Sequence, residues 1–457
     1  MKTVHAARLK DVDFSRRLTA LVVPIALQNL MLALVSASDA VMLGLLDQDA
    51  MSAVSLAGQV QFVQNLFLYA LALGCSMFAA QYFGEGDMGA IERVFAYVMK
   101  YSAAISAAFF AGAAIFPEAV MGFLTNEPQL IAYGAEYLRA VSLSYLLTGV
   151  SQVYLCIMKN TLHAGAASAI SSAAVVINIF LNAVLIFGLF GAPALGIRGA
   201  AYATVAARVI EAALAAAYML KGRKVRLRAD YIFRKEPKFA GVFWKYTLPV
   251  LGNQLAWGCG FSMYSVIMGH MGSDAVAANS IANIVKNLVI CLCTGLAAGG
   301  GILIGNDLGA GELEAARKNG RRLLRLSIIS GAASGLFLLA LVPLILNFSN
   351  LSDTAAGYLK LMLAVSSYYI VGKSINSMTV GGIFPSGGDS RFGFVCDAVT
   401  LWCITVPIGA AAAFIFKAPV MTVYLLLNVD EIIKLPVVFA RFYKYRWVKN
   451  LTGEARL

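Results

Sequence analysis

The chain of 457 residues is 60% apolar and only 13% charged, about half the charged fraction of an ordinary soluble domain. Its formal net charge is +12, and the basic residues stand beside long apolar runs. Soluble enzymes are excluded, nucleic acid is not needed to explain the charge, and membrane lipids with anionic headgroups are the expected partner of the basic side.

In chain order, the first apolar helix is predicted over 18–43, after Arg16 and Arg17. It is longer than a signal-peptide core and carries Gln28, Asn29 and Asp39, so it reads as a retained transmembrane helix. Further helices follow over 52–80, 94–116, 130–157, 167–188 and 200–220. Then comes Lys221 to Lys238, with eight Lys or Arg against Asp230 and Glu236. A second set is predicted over 243–268, 277–304, 323–346, 357–384, 393–415 and 419–440. At about 20 residues per span, twelve spans take about 240 residues and leave only short loops. The outer loops hold just two basic residues, Arg198 and Lys417, which places both termini in the cytoplasm. The seven cysteines all fall in apolar stretches and read as small core residues.

A shift of 225 residues superposes the halves. Pro24 falls on Pro249, Gly44 on Gly269, Asp49 on Asp274, Ser55 on Ser280 and Gly74 on Gly299; Gln81-x-x-Gly84-x-Gly86-Asp87 meets Asn306-x-x-Gly309-x-Gly311-Glu312. Six spans return the chain to its starting side, so the duplicated halves share one orientation. The expected fold is an all-α membrane protein of 12 transmembrane helices in two pseudo-twofold-related six-helix lobes around a central cleft. Residues 1–220 form the N-terminal lobe, 221–240 a basic cytoplasmic linker and 241–457 the C-terminal lobe.

With Asp39-Ala-Val-Met-Leu-Gly44, Ala53-Val-Ser-Leu-Ala57, Asn178-Ile-Phe-Leu-Asn182 and Leu195-Gly-Ile-Arg-Gly-Ala-Ala-Tyr-Ala-Thr204, these residues resemble the multidrug and toxic compound extrusion (MATE) family of secondary transporters. The resemblance spans essentially the whole chain. It implies a cation-coupled exporter that alternates between outward-facing and inward-facing states in a cell membrane. It also implies a cation-coupling set at Asp39, Asn178, Asn182 and Thr204, with proton or sodium as the coupling ion. Some family members place a glutamate on the seventh helix, where this chain has Asn253, Gln254 and Trp257.

The residues carry their own chemistry beside that resemblance. Asp39 lies late in an apolar helix, far from any Lys or Arg, where a central aspartate costs about 2.5–3.5 kcal/mol unless it binds a proton, a cation or a partner. The alternative is a helix-end aspartate hydrogen-bonded near the headgroups. Asn178 and Asn182, four apart, present their amides on one face, either to a cation or to neighbouring helices. Pro24 and Pro249 are hinge candidates, because each removes a backbone hydrogen bond; equally, they mark where each helix starts on the cytoplasmic side. Helices 1, 2, 7 and 8 are expected to line the cleft with Gln28, Asn29, Trp257, Met263, Tyr264 and Lys286. In the second half Lys373, Asp397, Asp430, Glu431 and Lys434 suggest a charge network, either structural or lining the cleft. A local Lys434 pair with Asp430 or Glu431 is expected, and Lys373 lies at a depth that permits contact with Asp397.

Gly372-Lys373-Ser374 imitates the end of a phosphate-binding loop, but Ser367 stands where that motif needs glycine. Gly299-Gly300-Gly301 reads as close helix packing. The resulting expectation is a monomeric antiporter exporting small organic compounds, with no organic cofactor and no metal beyond a monovalent cation. A lipid-linked precursor flippase, favoured by Lys286 and Lys373, is the alternative, and a membrane enzyme or scaffold is the remaining class.

Overall fold

The computed structural model describes the backbone of residues 2–44, 48–222, 225–234, 236–348 and 351–455, and the side chains of these residues other than 2–12, 36, 37, 39–41, 43, 44, 48, 222, 229 and 348. Helices α1 (Lys2–Gly44), α2 (Gln48–Glu85), α3 (Met88–Ile115), α4 (Pro117–Leu124), α5 (Pro128–Asn160), α6 (Ala164–Phe187) and α7 (Gly196–Gly222) come first. The short α8 (Ala229–Phe233) follows, then α9 (Pro237–Gly269), α10 (Ser273–Gly309), α11 (Leu313–Phe348), α12 (Asp353–Asn376), α13 (Ser390–Ala398), α14 (Val420–Leu427), α15 (Asp430–Ile433) and α16 (Leu435–Tyr443). The fold is that of an all-helical membrane protein. Nine helices among the described residues are long and apolar enough to cross a membrane.

Three of the twelve expected spans, near 243–268, 357–384 and 419–440, are not among the nine. Helix α12 runs on through a π-helical stretch, Ser377–Ile383, and α13 through two more, Val399–Thr405 and Ala411–Ile415. The expected helix over 419–440 is three short helices. The Asn428 side chain bonds back to the Tyr424 carbonyl at 2.8 Å at the first break, and Pro436, lacking an N–H, stands just past the second. The breaks turn Asp430 and Glu431 into the interior, where both are buried.

The chain divides into two compact units. Leu30–Pro237 makes one; the stretch ending at Asn29, together with the stretch beginning at Lys238, makes the other. Helix α1 is therefore shared, its first part belonging with residues far along the chain. Small residues permit this: a Cβ on Gly295 would lie 2.6 Å from the Ala26 Cβ, and one on Gly299 2.9 Å from Val22. Arg17 reaches Asp307 at 3.8 Å, and Asn29 donates to the Thr294 hydroxyl at 3.1 Å.

The sequence repeat has a structural counterpart. Gly86 and Gly311, 225 residues apart, both adopt positive φ (85° and 75°), a conformation that favours glycine. Asp87 N–H bonds to the Tyr82 carbonyl and Glu312 N–H to the Asp307 carbonyl, each at 3.0 Å. Each lobe thus turns from its second to its third helix by the same device.

In the unit Leu30–Pro237, the core around Ala57, Met121, Leu138 and Tyr145 is crossed by buried polar contacts. Gln64 donates to the Tyr145 carbonyl at 2.8 Å and Ser102 to the Gly149 carbonyl at 2.7 Å. Glu92 anchors the basic linker, accepting from the Arg226 N–H and pairing with Arg228, both at 2.9 Å. In the other unit, Gly301 lies against the backbone of Gly382, so close packing is the role of the glycine run. Trp447 is fully buried, stacked on Phe442 with its indole over Gly320. Near the chain's end, the Tyr246 hydroxyl donates to Glu454 at 2.9 Å, and that hydrogen bond holds the Glu454 carboxyl below the usual range.

Candidate functional site

The unit Leu30–Pro237 brings together three of the four residues of the expected coupling set. Asn178 and Asn182 lie one turn apart on α6, both buried, and Thr204 faces them from α7. Asn182 Nδ2 approaches Asn178 Oδ1 at 3.4 Å, and Asn178 Nδ2 approaches Thr204 Oγ1 at 3.4 Å. Both are at the long limit of a hydrogen bond. Asp39 belongs to α1, and its side chain lies outside the described residues. On the same α7, Arg208 pairs with Glu211 at 2.7 Å, and Ser151 donates to Glu211 at 3.0 Å, closing a separate buried contact.

The prolines sit inside continuous helices, Pro24 in α1 and Pro249 in α9. Of the expected cleft residues, Gln28 is buried with an amide oxygen that has no hydrogen-bond partner among the described residues. Trp257 stacks on Phe261 at a centroid distance of 5.7 Å, while Met263 and Tyr264 are half-buried, the latter against the core of the second unit.

The second unit joins the expected charges in a pattern the sequence did not specify. Lys373 meets Glu431 at 3.1 Å, not Asp397. Lys434 bridges Asp397 at 2.8 Å and Glu431 at 3.0 Å. Asn376 donates to Glu431 Oε2 and to its carbonyl, both at 2.7 Å, and Asn253 donates to Asp397 Oδ2 at 3.0 Å. The approach depends on Gly372, where a Cβ would stand 3.0 Å from the Glu431 carbonyl oxygen. Asn376 and Asn428 went unnoticed in the sequence; their one signal was that Asn376 lies three residues after Lys373, on the same helix face. Asp389 takes Arg441 in a bidentate pair with both contacts at 2.6 Å.

Chemically, the first unit offers amide and hydroxyl oxygens of the kind a hard cation takes. The second offers paired charges held away from water. No cluster of His, Cys, Asp or Glu among the described residues has the makings of a metal site.

The MatE family model matches residues 24–184 and 249–411, so each matched stretch begins at one of the paired prolines. A probable multidrug resistance protein NorM from Thermotoga maritima is 21% identical over 457 residues, covering 97% of this chain and 95% of that protein. A crystal structure of MATE in complex with MaL6 has a TM-score of 0.86 at 16% identity, covering 97% of this chain and 98% of that one. A MOP superfamily transporter from Pyrococcus furiosus, in which reverse polarity of the binding pocket suggests a different function, also has a TM-score of 0.86 at 16% identity, covering 97% of each chain. At that identity the structural likenesses establish the fold alone.

Proposed function

Because the chain belongs to the MatE family of membrane transporters, we propose that it is an antiporter driven by proton or sodium, exporting small organic compounds across the cytoplasmic membrane by alternating access. The observation that carries this reading is the Asn178, Asn182 and Thr204 cluster, polar groups gathered between two apolar helices. Asp39 supplies the carboxylate in this reading. It carries the coupling proton, or completes an oxygen site for sodium with the amides and the hydroxyl. Residues 1–220 and 241–457 are the duplicated lobes, and Pro24 and Pro249 are the points at which their first helices bend. The NorM relative is named for multidrug resistance, which supports organic compounds as the cargo.

The deciding experiment is transport in proteoliposomes with proton and sodium gradients imposed separately. Efflux of an organic dye driven by one gradient is expected; a response to neither removes the antiporter reading.

Both termini are assigned to the cytoplasm on the charge of the loops. Single cysteines at Asp47, Glu127 or Ser352, in an active cysteine-free background, should therefore react with an impermeant maleimide from outside intact cells. Cysteines at Lys224 or Lys318 should stay unlabelled, and the reverse pattern would invert the orientation.

A further inference from the structure

The amines of Lys286, Lys373 and Lys434 and the carboxyls of Asp397, Asp430 and Glu431 form one group of charges in the second unit, and they do not close evenly. Lys373 and Lys434 are each within 3.1 Å of a carboxylate oxygen. Lys286, only 8% exposed, has no carboxylate within 4.0 Å among the described residues. Its Nζ meets the Asn428 amide oxygen at 3.5 Å and lies 4.8 Å from the centre of the Tyr369 ring. The Asn428 amide is itself fixed, since its nitrogen is bonded to Tyr424. Asp430 is 4% exposed, and its Oδ1 has no hydrogen-bond partner among the described residues.

We infer that Lys286 is the anchor for an anionic group, a carboxylate or phosphate carried on an apolar or aromatic body, in the compounds this protein moves. The inference rests on the transporter reading above and names the substrate class within it. A buried carboxylate oxygen without a donor is least costly when the carboxyl carries a proton. With Asp430 protonated, the six groups sum to one positive charge. That excess resides at Lys286, because the other two lysines are closed. An ammonium has three donors, and one long amide contact leaves it short of partners. An anion at this point gains charge-assisted hydrogen bonds from it. The half-buried rings of Tyr369 and Trp257, each with a lysine amine over its face (the latter Lys373, at 5.7 Å), offer apolar surface for the rest of such a molecule.

Proton and ligand are linked at this site. Asp430 is faced by Tyr264 of α9, Lys286 of α10, Tyr368, Tyr369 and Lys373 of α12 and Asp397 of α13, besides its neighbours Glu431 and Lys434. Ionised, Asp430 competes with the ligand's anion for the field of Lys286. Protonated, it does not, so an anion binds more tightly as pH falls.

The test is thermal unfolding of the full chain in detergent with three matched probes: naphthoate, naphthamide and naphthylmethylammonium. Naphthoate is expected to bind at least about tenfold more tightly than the neutral amide, with the margin widening as pH falls from about 8 to about 6. Lys286→Met should erase the margin and Lys286→Arg keep it; Asp430→Asn should keep it while reducing its pH dependence. Loss of naphthoate binding when phosphatidylglycerol is added would assign the same anion site to a lipid headgroup, and retained binding to a free compound. Equal binding of the three probes by the unmodified protein, preference for the cation, no binding, or a margin that survives Lys286→Met each overturns the inference. No gradient is imposed, so the outcome is independent of the antiport experiment.

Discussion

Glu431→Gln should lower the stability of the detergent-solubilised protein by about 3–5 kcal/mol, the usual consequence of breaking a buried ion pair from one side. Glu431 is 1% exposed and accepts from Lys373, Lys434 and Asn376. The amide keeps the shape but leaves two ammonium groups facing a neutral acceptor. Lys373→Met should cost less, because that side chain is 22% exposed and Lys434 still closes Glu431. The double variant should recover part of the Glu431→Gln loss. Chemical denaturation with a matched slope across the variants measures these differences. A loss below about 1 kcal/mol for Glu431→Gln would mean that the network is not what fixes the broken helix over 420–443.

Asp39→Asn should insert and fold as the unmodified protein does, yet lose gradient-driven export by at least about tenfold. The amide cannot release a proton and is a poor ligand for a cation without its charge. Export in proteoliposomes and thermal stability have to be read together. Full export by a stable Asp39→Asn protein would move the coupling step elsewhere, and the second-unit charges would then be the place to look. Asn182→Ala should retain partial export, because it removes one neutral oxygen and leaves the carboxylate.

The helical membrane fold and the paired turns of the repeat were readable because they depend on local properties: apolar runs of membrane length, and glycine where the backbone must take positive φ. Gly86 and Gly311 are the clearest case, since residue type, spacing and turn geometry agree. The partners of Lys373 and Asp397 were not readable. Both sit on long helices whose order and depth are plain, but the choice of Glu431 over Asp397 depends on the breaks near Asn428 and Pro436, which rotate α15 relative to an unbroken helix. A periodic pattern carries no information about that rotation. The grouping of the residues before Asn29 with those after Lys238 was equally hidden. It depends on Gly295 and Gly299, which look like any other small residues in a membrane helix until Ala26 and Val22 are placed against them.

That grouping sets the order in which the protein is able to fold. Asn29 and Thr294 are 265 residues apart in the chain, and synthesis at roughly 5–20 residues per second takes on the order of ten seconds to a minute to cover such an interval. Throughout it, the first part of α1 has been made while the glycine-lined surface of α10 does not yet exist. Asn29 must wait in the bilayer or its insertion machinery without its Thr294 acceptor, whereas α2 to α7 already have one another. The N-terminal half of the chain is thus early in its own assembly and late in its first helix. Contacts of this sequence separation are slow to form, and the docking of α1 onto α10 is the expected last step in biogenesis.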